Sequence, residues 1–162
     1  MILIIAYGNN LREDDGAGLL LAERLATVWQ SRGKLVHCIV VHQLVPELAV
    51  DIAGDGVSAV VFVDTRVYTL PDNQHVQVAR VEPAGEQAPS MGHHFQPGVL
   101  LAYAAMLSTA DLLPPAWLVT VPGVAFGYGQ QISEAAQAAI ETAFDDEGSQ
   151  LQTLIAALSS LD

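Results

Sequence analysis

An apolar run of strand length that leads directly into an acidic loop constrains the fold of this chain more than any other feature. The run is Met1 to Tyr7, the loop is Gly8 to Gly18, and a helical pattern of apolar residues follows from about Gly16 to Trp29. This order is typical of open α/β sheets, which hold their ligands in loops at the carboxyl ends of parallel strands. We therefore expect the loop to contribute to a binding or catalytic site.

The charge of this loop indicates what it can bind. Glu13, Asp14 and Asp15 are consecutive and are flanked by glycines. Phosphate-binding loops expose backbone N–H groups to an anion, whereas three carboxylates would repel one. The loop is therefore predicted to bind a cation. Alternatively, Asp14 or Asp15 caps the following helix, and with two adjacent residues one can cap while the other is free.

The rest of the chain alternates strand-length apolar runs with helical patterns. Runs rich in Val and Ile are typical of parallel strands buried on both faces, whereas His75 to Val81 alternates like a solvated edge strand. We predict an α/β fold, a single three-layer domain over residues 1–162 with a mostly parallel twisted sheet and helices on both faces. The other predicted elements are a buried strand at Leu35–Val41, a short helix at Val45–Ala53, a strand at Ala59–Val63 that ends directly on Asp64, a helix at Gly98–Thr109, a strand at Ala116–Val121, and a helix that starts at Ser133 and resumes beyond Gly148.

Three connections between these elements are rich in turn residues: Thr65–Asn73, Pro83–Gly92 and Pro122–Gln131. The second one is long, and such connections are either disordered or functional. It leads to His93 and His94. The third is rich in glycine, and it could help to recognise a substrate or be a plain connection.

Composition narrows the class of partner. The net charge is −12, and all six basic residues precede position 81. This disfavours nucleic acid and anionic membranes and favours a metal ion or a basic protein surface, although the acidity could also serve only solubility. Cys38 is the only cysteine, and we expect it in the core. The first apolar run is too short to span a bilayer and has no basic region before it, so we expect a soluble cytoplasmic protein.

Metal-binding side chains are predicted in three places at the same end of the sheet, namely Asp15, Asp64 and His93. Strands one and three flank the usual switch point of a doubly wound sheet, so Asp14 or Asp15 should face Asp64 across one crevice. Two carboxylates and an imidazole with open coordination positions suit a divalent transition metal better than calcium or magnesium. Simpler interpretations are a helix cap for the first, a turn for Asp64 and a solvated loop position for His93.

Three motifs, taken in order, resemble those of a known family. They are Gly8-Asn9-Asn10-Leu11-x-x-Asp14-Asp15-Gly16-x-Gly18, then Val60-Val61-Phe62-Val63-Asp64, then His93-x-Phe95-x-Pro97 ahead of Leu100-Leu101. Shorter segments that agree as well are His42-Gln43-Leu44, Pro46-Glu47-Leu48 and Ile132-Ser133. Along nearly its whole length the chain is thereby similar to the hydrogenase maturation endopeptidases, which process the large subunit of nickel-iron hydrogenases.

The resemblance implies that Asp15, Asp64 and His93 are the catalytic, metal-contacting triad, with His94 as the alternate to His93. It also implies a single three-layer α/β domain. The implied reaction removes a short carboxyl-terminal extension from the hydrogenase large-subunit precursor, and the nickel is supplied by that substrate. The sequence has no His-Glu-x-x-His zinc helix, Gly-x-Ser-x-Gly elbow or aspartic-protease motif that would suggest another protease.

The mechanistic hypothesis is metal-assisted hydrolysis. The triad would grip nickel seated in the substrate, and the metal would polarise the scissile carbonyl or lower the pKa of an attacking water. Asp14 could act as the base, or the triad could only recognise nickel while a nonmetal group does the chemistry. A noncatalytic alternative is a nickel-binding chaperone module on the same fold. A nucleotide-binding module is disfavoured, because the loop is acidic and lacks a Gly-x-Gly-x-x-Gly motif.

Overall fold

Strands and helices alternate through most of the protein. A computed structural model describes residues 1–68, 74–85, 95–109 and 112–161. In chain order the elements are β1 (Ile2–Tyr7), a 3₁₀ turn (Glu13–Gly16), α1 (Ala17–Ser31), β2 (Val36–Val41), α2 (Leu48–Ile52), β3 (Ala59–Val67), β4 (Gln77–Val81), α3 (Pro97–Leu107), β5 (Ala116–Gly123), α4 (Glu134–Asp145) and α5 (Gln150–Ser159). Among the described residues, no helix combines the length and the apolarity that crossing a membrane requires.

The strands of the described residues form one five-stranded sheet in the order β2-β1-β3-β5-β4. Neighbouring strands are parallel except β4, which pairs antiparallel with β5 at one edge. The strand order reverses between β1 and β3, because β2 lies on one side of β1 and the later strands lie on the other. This is the switch point, where doubly wound sheets bind their ligands. The predicted edge strand near residues 75–81 is confirmed.

Apolar side chains fill both faces of the sheet. On one face, Ile4 and Val61 pack with residues of α1, α4 and α5, and Trp29 is completely buried there. On the other face, Ile5 and Phe62 pack with residues of α2 and α3. Successive residues of β1 and of β3 up to Val63 therefore enter two different buried layers, which explains why these stretches are continuously apolar. The predicted three-layer α/β fold with a mostly parallel sheet is confirmed.

β2 is a strand, as predicted, but the prediction that it is buried is wrong. It lies at the edge of the sheet with β1 as its only neighbour among the described strands, and its residues are half-buried or exposed. The expectation that Cys38 lies in the core is also wrong, because this residue is exposed. An apolar run reports hydrophobicity, whereas its burial depends on the position that the strand takes in the sheet.

β3 continues beyond the position where the sequence predicts its end. It extends to Val67, so Asp64 lies within the strand and Thr65–Val67 is not part of a loop. The strand continues because β5 pairs with it from Val60 to Val67. β5 is likewise longer than predicted and reaches Gly123.

The helices agree with the sequence pattern, apart from their ends. α2 is shorter than predicted, and α3 begins one residue earlier and ends two residues earlier. Ser133 is the predicted N-cap of α4, and its Oγ accepts a hydrogen bond from the Ala136 N–H at 3.1 Å. The apolar face that resumes beyond Gly148 belongs to a separate helix, α5, which Ser149 caps in the same way.

Candidate functional site

Asp64 lies where β3 loses its neighbour on one side. β1 pairs with β3 only as far as Ala6 and Val63, whereas β5 accompanies β3 to Val67. Beyond Val63 the β1 side of β3 is therefore free of strand pairing. This step between neighbouring strands lies at the switch point, where doubly wound sheets have their crevice, and Asp64 is half-buried there.

The beginning of α1 covers this step closely. The Gly18 N–H donates a hydrogen bond of 2.9 Å to Thr65 Oγ1, which fixes the helix against β3. A Cβ atom on Gly18 would lie 2.9 Å from the carbonyl carbon of Asp64, so a larger residue would push the helix away. Gly18 is the second residue of α1, and the close approach explains why a residue without a side chain occupies this position.

Asp15 reaches the same crevice from the acidic loop. Its Oδ2 accepts a hydrogen bond of 2.8 Å from the Asn9 N–H, which orients the carboxylate. Gly8 makes the tight turn out of β1 possible, because its φ is +148° and a Cβ atom there would lie 2.2 Å from the Asp15 carbonyl oxygen. Asp15 is half-buried.

The electrostatics indicate that Asp15 and Asp64 are close together. Burial raises the pKa of Asp64 to about 6, and the negative charge of Asp15 adds to this effect. Hydrogen bonds from the Thr65 N–H, at 2.7 Å, and from the Tyr7 hydroxyl oppose it in part. Burial and the charge of Asp64 also raise the pKa of Tyr7, which keeps the phenol protonated as a donor. Of the two aspartates predicted to face Asp64, the structure thus brings Asp15 close to it.

Asp14 has completely different surroundings, although it is the neighbour of Asp15. Its side chain is fully buried and accepts four hydrogen bonds, from Val124 N–H, Ala125 N–H, Ser133 N–H and Ser133 Oγ–H, at 2.6 to 2.9 Å. Burial alone would raise its pKa, but these donors lower it below the usual value. Asp14 does not cap α1, whose N-cap is Gly16. A buried carboxylate stabilised in its charged form is poorly suited to accept a proton, which argues against a role as base.

The acidic loop and the glycine-rich loop after β5 are joined by several hydrogen bonds. Glu13 Oε2 accepts a hydrogen bond of 2.7 Å from the Gly127 N–H, and the Glu13 N–H donates to the Gly129 carbonyl at 2.8 Å. The Gly129 N–H donates to the Leu11 carbonyl, and Arg12 donates to the Phe126 carbonyl, each at 2.9 Å. Sequence reasoning missed this pairing. The sequence does contain a signal for this pairing. A glycine-rich loop offers free N–H groups and an acidic loop offers acceptors, and both loops follow strands at the same end of the sheet.

The structure describes two members of the predicted triad. Asp15 and Asp64 share the crevice, whereas His93 and its alternate His94 lie outside the described residues. Within the described part of the chain, no group of three His, Cys, Asp or Glu side chains is arranged to hold a metal ion. An acidic pair on its own leaves most coordination positions of a transition metal open. The histidine ligand therefore stays a prediction.

The fold and this crevice define a class: doubly wound α/β proteins with an acidic pair at the switch point between β1 and β3. Neither the comparison with protein-family models nor that with curated proteins finds a match to the sequence. The comparison with solved structures does find matches, and they belong to the group of proteins that the sequence motifs resemble.

Several hydrogenase maturation proteases share the fold of this protein. The hydrogenase maturating endopeptidase HybD from Escherichia coli is 22% identical with a TM-score of 0.59, and the match covers 97% of this chain and 91% of that one. The [NiFe] hydrogenase maturation protease HycI from Thermococcus kodakarensis is 20% identical with a TM-score of 0.57, over 98% and 89% of the two chains. A hydrogenase 2 maturation peptidase from a Thaumarchaeota archaeon is 20% identical with a TM-score of 0.57, over 97% of each chain. The protein thus has the fold of the hydrogenase maturation proteases.

Proposed function

We propose that this protein is an endopeptidase that removes a carboxyl-terminal extension from the nickel-loaded large-subunit precursor of a nickel-iron hydrogenase. The observation that carries this proposal is the convergence of Asp15 and Asp64 at the switch point of a fold that hydrogenase maturation proteases share. We also propose that it acts in the cytoplasm, where the precursor would be available.

In this proposal the nickel ion belongs to the substrate. Asp15, Asp64 and His93 are its catalytic contacts, because carboxylate and imidazole ligands together suit a divalent transition metal. A nickel ion held between precursor and protease would polarise the scissile carbonyl or lower the pKa of an attacking water. The base for that water is a carboxylate of the crevice or a group of the substrate, since the hydrogen bonds of Asp14 disfavour it in this role.

The electrostatics of the crevice favour nickel that arrives with the precursor. Asp15 raises the pKa of Asp64, so the two carboxylates repel one another when no cation lies between them. A cation would relieve this repulsion. Ligands that come from separate elements of the fold, here the acidic loop and β3, give a free ion little preformed geometry, and metal affinity depends on such geometry. We therefore expect weak nickel binding by the isolated protein and tight binding of the loaded precursor.

The experiment that tests the proposal incubates the purified protein with the cognate precursor in nickel-loaded and nickel-free forms, and follows the precursor mass. Shortening of the loaded precursor alone is the expected result. A protein that binds the loaded precursor and leaves its mass unchanged would be a nickel-binding chaperone, and the proposal would be wrong.

Single substitutions then test the triad. Asp15→Ala, Asp64→Ala and His93→Ala should each reduce kcat/KM by about a hundredfold or more, because each removes a contact to the metal. The matched controls are Asp51→Ala and His75→Ala, since both residues are exposed and lie away from the crevice. Normal processing by His93→Ala together with loss of processing by His94→Ala would transfer the role to His94.

A further inference from the structure

The two edges of the sheet differ in how their outward backbone groups are satisfied. At the β4 edge, the Val78 N–H donates a hydrogen bond of 2.9 Å to Gln150 Oε1 of α5. The guanidinium of Arg80 lies 4.6 Å from the ring centre of Trp117 and pairs with Glu82 at 3.4 Å. A bound side chain and charged residues protect an edge from pairing with another strand. The β4 edge is therefore partly protected.

The β2 edge has no side-chain hydrogen bond of this kind among the described residues, and the one charge that acts on it is that of Glu23, near Cys38. Leu35 and Val41 direct their carbonyl groups to β1, where they accept hydrogen bonds from Ile2 at 2.8 Å and Gly8 at 3.1 Å. Backbone groups alternate along a strand, so the N–H and C=O groups of residues 36, 38 and 40 point away from β1. No described residue hydrogen-bonds to them, and β2 contains neither Lys nor Pro.

The side chains of this edge are apolar as well as exposed. Leu35, just before β2, is 72% exposed and Val40 is 53% exposed. An open edge strand with exposed apolar side chains is a template for an added strand. In peptide recognition of this kind, main-chain hydrogen bonds supply affinity and alternate side chains supply specificity.

The open edge leads towards the crevice. Val41, the last residue of β2, is level with Tyr7, the last residue of β1, and the acidic loop starts directly above them at Gly8. A strand added to β2 would lie about 10 Å from β1, two strand spacings away. An extended chain crosses that distance in about three residues. A segment bound on β2 could therefore turn over the sheet edge and reach Asp15.

We propose that β2 is the docking strand for an extended segment of the hydrogenase precursor, which adds to the sheet as a further strand and guides the cleavage site to Asp15 and Asp64. This inference rests on the proposed function, because the hydrogenase precursor is the substrate in that proposal. The segment pairs with the outward groups of Val36, Cys38 and Val40, and its alternate side chains pack beside Val40.

A second copy of this protein is a poorer occupant for the same edge. A six-residue strand is about 20 Å long and a sheet is about 10 Å thick, so pairing of two β2 strands would bury roughly 200 Å² on each partner. Stable interfaces between proteins bury about 800 Å² per partner. A peptide that continues from β2 into the crevice buries additional area beyond the edge strand.

Amide hydrogen exchange with residue resolution tests the proposal directly. The probe is the nickel-loaded precursor, mixed with an Asp15→Asn protein so that it is not cut during labelling. We expect the amides of Val36, Cys38 and Val40 to exchange fast in the free protein and at least tenfold more slowly in the complex. The amides of residues 37, 39 and 41 should be protected in both states, which provides the internal control. Unchanged exchange at the three outward amides of a formed complex overturns the proposal.

Steady-state kinetics of a variant with a single substitution in β2 and an intact Asp15 give a second, independent measurement. Val40→Pro removes one outward N–H but no hydrogen bond to β1, and proline is tolerated at such edge positions. We expect it to raise KM for the precursor about tenfold with little change in kcat, since one or two main-chain hydrogen bonds to the substrate are lost. Val40→Ala, which keeps the N–H, should change KM by less than about threefold.

The outcomes separate the docking proposal from the proposed function. Shortening of the loaded precursor with normal KM in Val40→Pro and no new protection of β2 would overturn the docking strand and leave the peptidase function intact. A protein that neither binds nor shortens the precursor would overturn both. Protection of the outward amides that rises with protein concentration in the absence of precursor would show a second copy on this edge and would also overturn the proposal.

Discussion

Asp14 and Asp15 have the same side chain but different surroundings. The side chain of Asp14 points into the protein, where four hydrogen bonds tie the first loop to the β5–α4 connection. Asp15 accepts a bond from Asn9 and remains half-buried beside Asp64. Asp14 therefore holds the acidic loop in place, and Asp15 faces the crevice.

The structural role of Asp14 can be tested by Asp14→Asn. An amide keeps one acceptor oxygen but presents an NH₂ group to N–H and O–H donors, so at least one buried hydrogen-bond donor loses its partner. We expect a loss of about 3 kcal/mol in the free energy of unfolding, measured by urea denaturation. Glu13→Gln is the control, because its single bond to Gly127 can be kept by the amide oxygen, and it should cost less than about 0.5 kcal/mol. Equal stabilities of the two variants would contradict the assignment.

The pKa of Asp64 predicts how processing depends on pH. Because this pKa is raised to about 6 in the free protein, lowering the pH through 6 protonates the carboxyl group, which in the proposed function would remove its ability to bind the substrate's nickel. We expect kcat/KM for the loaded precursor to fall about tenfold per pH unit below that value, since kcat/KM reports on the free enzyme.

Tyr7→Phe is the matched variant for the pH profile. The Tyr7 hydroxyl lowers the pKa of Asp64, so its removal should move the midpoint of the profile to higher pH. A profile that is flat between pH 4 and 8, or a midpoint that moves down in Tyr7→Phe, would contradict this account of the crevice.

At the level of elements, the junction between β1 and the acidic loop determines where Asp15 lies. Gly8→Ala places a methyl group against the Asp15 carbonyl oxygen at a positive φ, so both the backbone and the loop must shift. We expect this variant to lose about 3 kcal/mol of stability and most of its processing activity.

Gly33→Ala is the control for Gly8→Ala. Gly33 also has a positive φ, of +78°, but apart from its two neighbours in the chain no described residue has an atom within 4 Å of an added Cβ. Alanine there should cost only about 1 kcal/mol, from backbone strain, and should leave processing unchanged. Thermal unfolding and precursor mass measure both quantities. A Gly8→Ala protein that is as active as Gly33→Ala would show that Asp15 is not positioned through this turn.

At the level of the whole molecule, one sheet joins two apolar layers. Leu25 is buried in the layer under α1, α4 and α5, and Leu101 is buried in the layer under α2 and α3. Because β1 and β3 contribute to both layers, neither layer can be lost while the other stays packed.

We therefore expect Leu25→Ala and Leu101→Ala each to cost about 3 kcal/mol and each to shift the whole unfolding transition. Within each variant, far-UV circular dichroism and tryptophan fluorescence should give the same urea midpoint, as two-state unfolding of one domain requires. Separate midpoints for the two probes would contradict the prediction of a single domain over residues 1–162.

The sequence by itself determined the properties that depend on local pattern. Continuous Val and Ile runs separated by helical periodicity are sufficient to predict an α/β fold with a mostly parallel sheet. The topology rules of such sheets then place the ends of strands one and three together, which predicted that Asp15 and Asp64 meet. The motifs around these residues led to the same class of proteins as the fold.

The tertiary structure alone decided what depends on neighbours. β2 is apolar but exposed because it lies at the sheet edge, and β3 runs past Asp64 because β5 pairs with it there. The different roles of Asp14 and Asp15 come from the β5–α4 connection, more than a hundred residues away along the chain. A sequence pattern carries the hydrophobicity and the propensity of a segment, whereas burial, pKa and hydrogen-bond partners are set by groups that only the folded chain brings together.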